Sequence, residues 1–227
     1  MNIALFGATG GTGHQVLLQA LEQGHRVKAL ARDPAKLPAG HDGLIPIVGD
    51  VLDQAAVSDC VHGTDAVICV LGTRPGSQPA KPDGTHTPLG ELRGLFGTKA
   101  EPIEARGTRS ILAAMQSAGV RRLIAVTSMG VGDSADQMPF IFRAFMQMTL
   151  KSVMAAKEEQ ERLIRESGLD WTIVRPGGLT DGPRTGTYAA GIEKSIKARQ
   201  VSRADVAEFV LRQLTDARFV RQTPAIS

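Results

Sequence analysis

The run Ile3-Ala4-Leu5-Phe6-Gly7-Ala8-Thr9-Gly10-Gly11-Thr12-Gly13 constrains this chain more than any other stretch. Four apolar residues predict a short strand. Val16, Leu17, Ala20 and Leu21 predict a helix with one apolar face directly after it. Gly7 ends the strand where a tight turn needs freedom in φ. Gly10 leaves backbone N–H groups open to close approach by a pyrophosphate. Gly13, in the first helical turn, lets the helix sit close on the strand. Exposed amides and the helix dipole together favour a diphosphate. The spacing is G-x-x-G-x-x-G, not the G-x-G-x-x-G of the dinucleotide fingerprint. The strand before and the helix after are what lift a glycine triplet from a bare turn to a dinucleotide site.

A chain of 227 residues can bury a full core in one α/β domain. Its net charge of +3 is too small to argue for nucleic acid, and a basic pocket for a cofactor phosphate accounts for it as well. Cys60 and Cys69 are too few and too poorly spaced for a disulfide framework or a zinc site, and their apolar surroundings predict buried thiols. No metal site is expected. The first apolar run lacks a basic n-region and a cleavage site, and no run approaches the ~20 residues of a membrane span. A cytoplasmic protein that binds neither membrane nor nucleic acid, as monomer or homodimer, is the expectation.

Gly24 supplies a stop for the first helix, and Val27–Ala31 reads as strand two. Arg32 follows it, where a dinucleotide fold faces the adenosine ribose. An acid there accepts from the 2′-hydroxyl of NAD; an arginine pairs with the 2′-phosphate of NADP. Arg32, with Lys36 nearby, points to NADP(H), the alternative being a solvated charge at a strand end. Asp33, before a proline, reads as a turn residue. Leu44–Val48 is strand three, and Asp50 after it reaches the adenine amino group, caps the next helix, or does both, while Val51 can pack on the ring. Ala66–Leu71 is a continuous apolar run, as expected of a central parallel strand. Gly72, Thr73 and Arg74 then fall at the carboxyl edge where open α/β sheets take their ligands.

Residues 75–98 are rich in Gly, Pro, Ser and Thr and too long for an ordinary connection, so they read as a flexible flap or a surface insertion; His86 lies here. Pro102 suits the first turn of a helix that Gly119 closes. Leu123–Val126 is strand five, delivering Thr127 and Ser128. A hydroxyl at that edge faces the nicotinamide end and can donate to a substrate atom, or simply cap a turn. Phe140 to Met154 carries a Phe and Met stripe that suits core or subunit packing, and also an apolar site for a planar substrate. Trp171–Val174 is strand six, ending at Arg175-Pro176-Gly177-Gly178. Ser202 with Asp205 resembles a capping box, and Thr223–Ser227 offers a final strand. No linker divides the chain. The fold class is α/β: one doubly wound, Rossmann-type parallel sheet of six to seven strands over residues 1–227, with helices on both faces. A small substrate-side portion begins at about residue 176.

Gly7-x-x-Gly10-x-x-Gly13, Leu30-Ala31-Arg32-Asp33, Gly49-Asp50-Val51, Asp65 to Ile68 with Leu71-Gly72-Thr73-Arg74, Thr127-Ser128 and Arg165 to Leu169 carry a resemblance. The chain resembles the atypical short-chain dehydrogenase/reductases, and within them the NAD(P)H-binding, NmrA-like group that includes biliverdin-IXβ and flavin reductases. The resemblance covers Asn2 to about Leu214. It implies a Rossmann domain that binds NADP(H). By position, the first-loop residues Gly7, Thr9, Gly10, Gly11, Thr12 and Gly13 hold the pyrophosphate, Arg32 the 2′-phosphate, and Asp50 and Val51 the adenine. Leu71, Gly72, Thr73 and Arg74 lie along the nicotinamide half with Thr127, Pro176 and Gly177, and Ser128 stands beside the reacting atoms.

Two departures shape the expected chemistry. Ordinary short-chain dehydrogenases use a Tyr-x-x-x-Lys pair, whose phenol protonates the carbonyl oxygen. Lys157 can be the lysine, but four residues before it stands Val153, and the only tyrosine is Tyr188. The histidine that flavin and biliverdin reductases carry after strand six is absent from Pro176-Gly177-Gly178, which implies a more open pocket. A reductase of a small planar acceptor (flavin, quinone or linear tetrapyrrole) survives these losses, with Ser128 and Lys157 as candidate catalytic residues. Lys157 either orients the nicotinamide ribose or is a surface lysine. Two other readings stay open: a redox sensor that binds dinucleotide and acts through a protein partner, and an isoflavone-reductase type enzyme using Lys157 as acid and base.

Overall fold

The structure, a computed structural model, describes residues 1–72, 103–131, 151–192 and 194–227. The first strand is β1, Asn2–Phe6, and α1 follows over Gly11–Glu22. Then come β2 (Arg26–Ala31), β3 (Leu44–Val48), α2 (Gln54–Val61) and β4 (Ala66–Cys69). After these lie α3 (Ile103–Ala118), β5 (Arg122–Val126), α4 (Lys151–Glu166) and β6 (Asp170–Pro176). The chain ends with β7 (Gly178–Thr180), β8 (Ala190–Gly191), β9 (Gln200–Ser202), α5 (Arg203–Arg212) and β10 (Ala225–Ile226).

The main sheet runs β3-β2-β1-β4-β5-β6-β10-β8, parallel except for the β10–β8 pair. Strands buried on both faces carry near-continuous apolar runs, and β1 and β4 do so here. One face is covered by α1 and α5, which bury Val16, Leu17, Val206 and Phe209 against Ile3, Leu5 and Ile68. The other is covered by α2, α3 and α4, which bury Val57, Ile111, Met115 and Ile164 against Phe6, Val67 and Ile173. Strand order reverses between β1 and β4, so a crevice opens at their carboxyl ends, where doubly wound sheets take ligands.

Among the described residues the main sheet has eight strands, where six or seven were expected. The tail strand forms over Ala225–Ile226, and the added strand is β8, a two-residue antiparallel edge too short to show a period. A separate parallel pair, β7–β9, lies just past β6. The helix after β3 is capped by Asp53, not Asp50: Asp53 Oδ1 accepts from Ala55 N at 3.0 Å, whereas Asp50 Oδ1 accepts from Leu52 N. Ser202 caps α5 as its spacing predicts, with Asp205 N donating to Ser202 Oγ at 2.9 Å. Both cysteines are buried, and loss of solvation pushes the Cys60 thiol up to about 12 and Cys69 to about 11.

Candidate functional site

The glycine loop is a cradle that side chains would fill. Gly7 has φ +89°, and a Cβ there would lie 2.4 Å from the Val70 carbonyl oxygen. A Cβ on Gly13 would lie 2.0 Å from the Gly7 oxygen, so α1 can lie this close to the turn only with glycine at that position. Gly10 is the N-cap and offers no side-chain cap, and the first turn of α1 holds no acid. The start of α1 is therefore a positive dipole end with neither a side-chain cap nor an acid of its own, and that fits a diphosphate. Gly11 and Thr9 are exposed on this rim, while Thr12 is buried.

Along the same edge, Arg32 follows β2 and points its guanidinium toward Asp50, with Nε 3.9 Å from Oδ2. Arg32 is exposed and Asp50 half-buried, so the pair leaves the cation accessible. Asp33 caps a short 3-10 turn by accepting from Ala35 N, as a turn residue does, and Lys36 Nζ lies 3.6 Å from it. Val51 is buried, and a Cβ on Gly107 would meet its Cγ1 at 2.8 Å, so Val51 seats α3 against the rim. Leu71 is half-buried and Gly72 exposed at the end of β4. Thr73, Arg74, the 75–98 segment with His86, Pro102 and the stripe from Phe140 to Met148 lie outside the described residues, as does the Val153 side chain.

The β4–β6 end of the edge is built differently. Glu161 of α4 is fully buried, and Arg175 of β6 is 3% exposed. The Arg175 Nη2 donates to Glu161 Oε2 at 2.7 Å and its Nε to Oε1 at 3.0 Å, a bidentate pair. Thr127 Oγ1 donates to the same carboxylate at 2.7 Å, and Arg165 Nη2 at 2.8 Å. Thus one carboxylate ties α4 to the carboxyl ends of β5 and β6. Met129 N donates to the Pro176 carbonyl and Thr127 N to that of Val174, which fixes the segment carrying Ser128. Ser128 is half-buried, and its hydroxyl donates to the adjacent Met129 carbonyl at 3.1 Å. Pro176 is buried, and Gly177 passes so close to Arg199 that a Cβ would lie 2.3 Å from its carbonyl oxygen.

Lys157 lies one helical turn before Glu161 on α4. Its ammonium points at the end of β4, with Nζ 3.9 Å from where a Gly72 Cβ would stand. Loss of solvation holds its pKa below the ordinary lysine value, partly offset by the negative charge of Glu104 and Glu161. Beside it Gln160 donates to Thr108 Oγ1 at 3.2 Å and to Cys69 Sγ at 3.7 Å. Tyr188 is elsewhere: its ring meets Phe209 edge-on at 6.0 Å, on the α1–α5 face.

Sequence reading gave no role to Glu161, Arg175, Glu104 or Arg203. For Glu161 a signal existed, since Lys157, Glu161 and Arg165 recur at i, i+4 on one helix face. Nothing local marks Arg175, which stands near the end of β6, where an arginine reads from sequence as a solvated charge.

A parallel sheet reversed between β1 and β4, with a glycine cradle at the reversal, defines a dinucleotide-binding Rossmann protein. The comparisons agree, and the chain belongs to the NAD(P)H-binding family, whose model matches residues 7–217. An uncharacterized chloroplastic protein of Arabidopsis thaliana is 32% identical over 92% of this chain and 70% of its own length. Sanguinarine reductase of Eschscholzia californica is 23% identical over 94% of this chain and 84% of its own. Among solved structures, ChuY, an anaerobillin reductase from Escherichia coli O157:H7, superposes with a TM-score of 0.75 at 24% identity over 100% of this chain and 96% of its own. Among the described residues no helix is long and apolar enough to cross a membrane, and no group of acids, histidines and cysteines could hold a metal.

Proposed function

We propose that the protein is an NADPH-dependent reductase of a conjugated acceptor, namely a flavin, a quinone or a linear tetrapyrrole such as biliverdin. One observation carries this reading: a lysine and a serine stand at the carboxyl ends of β4 and β5, and the chain's only tyrosine packs on the opposite face of the sheet. Carbonyl reduction by a phenolic acid is then without its acid. Bound NADPH supplies the hydride. A conjugated ring spreads the arriving charge, so solvent suffices as proton source and the protein's task reduces to holding the reacting atoms roughly 3–3.5 Å apart.

In this reading the amides at the start of α1 bind the diphosphate, and Arg32 pairs with the 2′-phosphate and sets the preference for NADP(H). Gly72, Thr73 and Arg74 flank the nicotinamide half. Lys157 orients the ribose from behind β4, and Ser128 turns its hydroxyl from the Met129 carbonyl to an acceptor heteroatom. The chain beyond residue 176 borders the acceptor. The reductases among the relatives support the class of reaction.

The test is steady-state oxidation of NADPH by purified protein with FMN, a quinone and biliverdin in parallel. Turnover with at least one is the expected result. Tight NADPH binding with no turnover on any of the three, with equal affinity for NADP⁺, would overturn it in favour of a non-catalytic redox sensor.

A further inference from the structure

A cation from the second half of the chain lies against the glycine cradle. Arg203 is the first residue of α5, and its side chain lies across Gly11, the first residue of α1. A Cβ on Gly11 would stand 2.9 Å from both Cδ and Nε of Arg203. The arm therefore occupies the space that a side chain at position 11 would need. Its placement is fixed from two sides. Ser202 caps α5 through the Asp205 amide, and Gln19 of α1 donates to the Ala204 carbonyl at 2.9 Å, docking one helix on the other. Arg203 Nη1 is held at 2.6 Å by Asp181 Oδ1, a carboxylate 89% exposed whose charge is largely screened by water. Nε and Nη2 make no hydrogen bond among the described residues. A guanidinium with free donors, set beside a helix start with no side-chain cap and no acid in its first turn, is half of an anion site already assembled.

We infer that Arg203 is a ligand of the cofactor diphosphate, reaching the cradle from the substrate-side half of the chain while Asp181 holds it in place. This assignment rests on the NADPH reading above. It gives Gly11 a reason distinct from those of Gly7 and Gly13: the latter two admit the backbone, and Gly11 admits the arginine. It also ties the segment around Asp181 to the coenzyme through a single ion pair.

Two probes separate this role from a structural one. NADPH carries both the diphosphate and the 2′-phosphate, whereas adenosine 2′-monophosphate carries the 2′-phosphate alone. Calorimetric titration of Arg203→Ala should show NADPH weakened roughly 10- to 100-fold, the range for a charge-assisted hydrogen bond, with adenosine 2′-monophosphate unchanged. Arg203→Lys, which keeps the charge without the fork, should fall between wild type and Arg203→Ala. The ligand-free melting temperature should not move, since the ion pair with Asp181 is exposed on one side. Unchanged NADPH affinity in Arg203→Ala would overturn the assignment alone. Equal loss of both probes would overturn it too, because a general loosening of the site, not a missing phosphate contact, would then be the cause. Wild-type protein that binds neither probe would overturn this assignment and the reductase reading together.

Discussion

At β1 the carboxyl edge of the sheet is made of backbone; at β5 and β6 it is made of buried charge. The first region works because side chains are missing: Gly7 and Gly13 let the turn and α1 close on each other, and the uncapped start at Gly10 leaves a dipole end open to an anion. The second works because side chains are present and mutually satisfied: Glu161 accepts from Arg175, Arg165 and Thr127 in a place with almost no solvent. One region is preorganised to receive a charge from outside. The other closes its charges on itself and so holds the segment that carries Ser128. The contrast teaches how a single sheet edge can offer an open electrostatic socket at one end and a rigid positioning frame at the other.

The comparison breaks first at Glu161. Glu161→Ala leaves Arg175 buried without its bidentate partner, which should cost about 3–5 kcal/mol in a denaturant titration. A loss near that of a surface ion pair, below about 1 kcal/mol, would mean the frame is not closed. Next comes Gly13→Ala, whose methyl would run into the Gly7 carbonyl. Overpacking of this kind should cost about 1–3 kcal/mol and abolish coenzyme binding, read by melting with and without NADPH. Full binding in that variant would show that α1 need not lie so close to the turn.

The smallest effect concerns Lys157 and its pH dependence. Its folded pKa lies below the ordinary value of 10.5, so between the two values the unfolded chain binds more protons. The lysine's contribution to stability therefore rises with pH across that window. Lys157→Met should be most stable relative to wild type below the window, and this margin should shrink as pH climbs toward 10.5. A margin independent of pH would place the ammonium in ordinary solvent contact.

Much of the first region was legible in the sequence, because its information is local. Glycine spacing between an apolar run and an amphipathic run specifies a strand, a turn and a helix, and Leu44–Val48 announced β3 with its observed bounds. Local reading offered Asp50 as one possible cap of α2 and overlooked Asp53, since both precede the helix and only geometry chooses between two Asx turns. It missed β8, whose two residues pair with a strand thirty-odd positions later along the chain. The second region was hidden because its members are distant: Thr127, Glu161 and Arg175 sit on a strand end, a helix and another strand, and only the parallel register of β5 on β6 brings them together. Arg203 was hidden for the same reason, as no pattern around Gly11 points to a residue so far along the chain.

The central claim is that bare main-chain amides at the start of α1 hold the coenzyme and that Arg32 selects its phosphorylated form. It is tested most directly by titrating wild type and Arg32→Ala with NADPH and NADH, following nicotinamide fluorescence. Wild type should favour NADPH, and Arg32→Ala should lose roughly tenfold or more of that preference while keeping its affinity for NADH, as the removal of one charged contact requires. Wild-type protein with no response to either coenzyme, or an Arg32→Ala variant with its preference intact, would contradict the account.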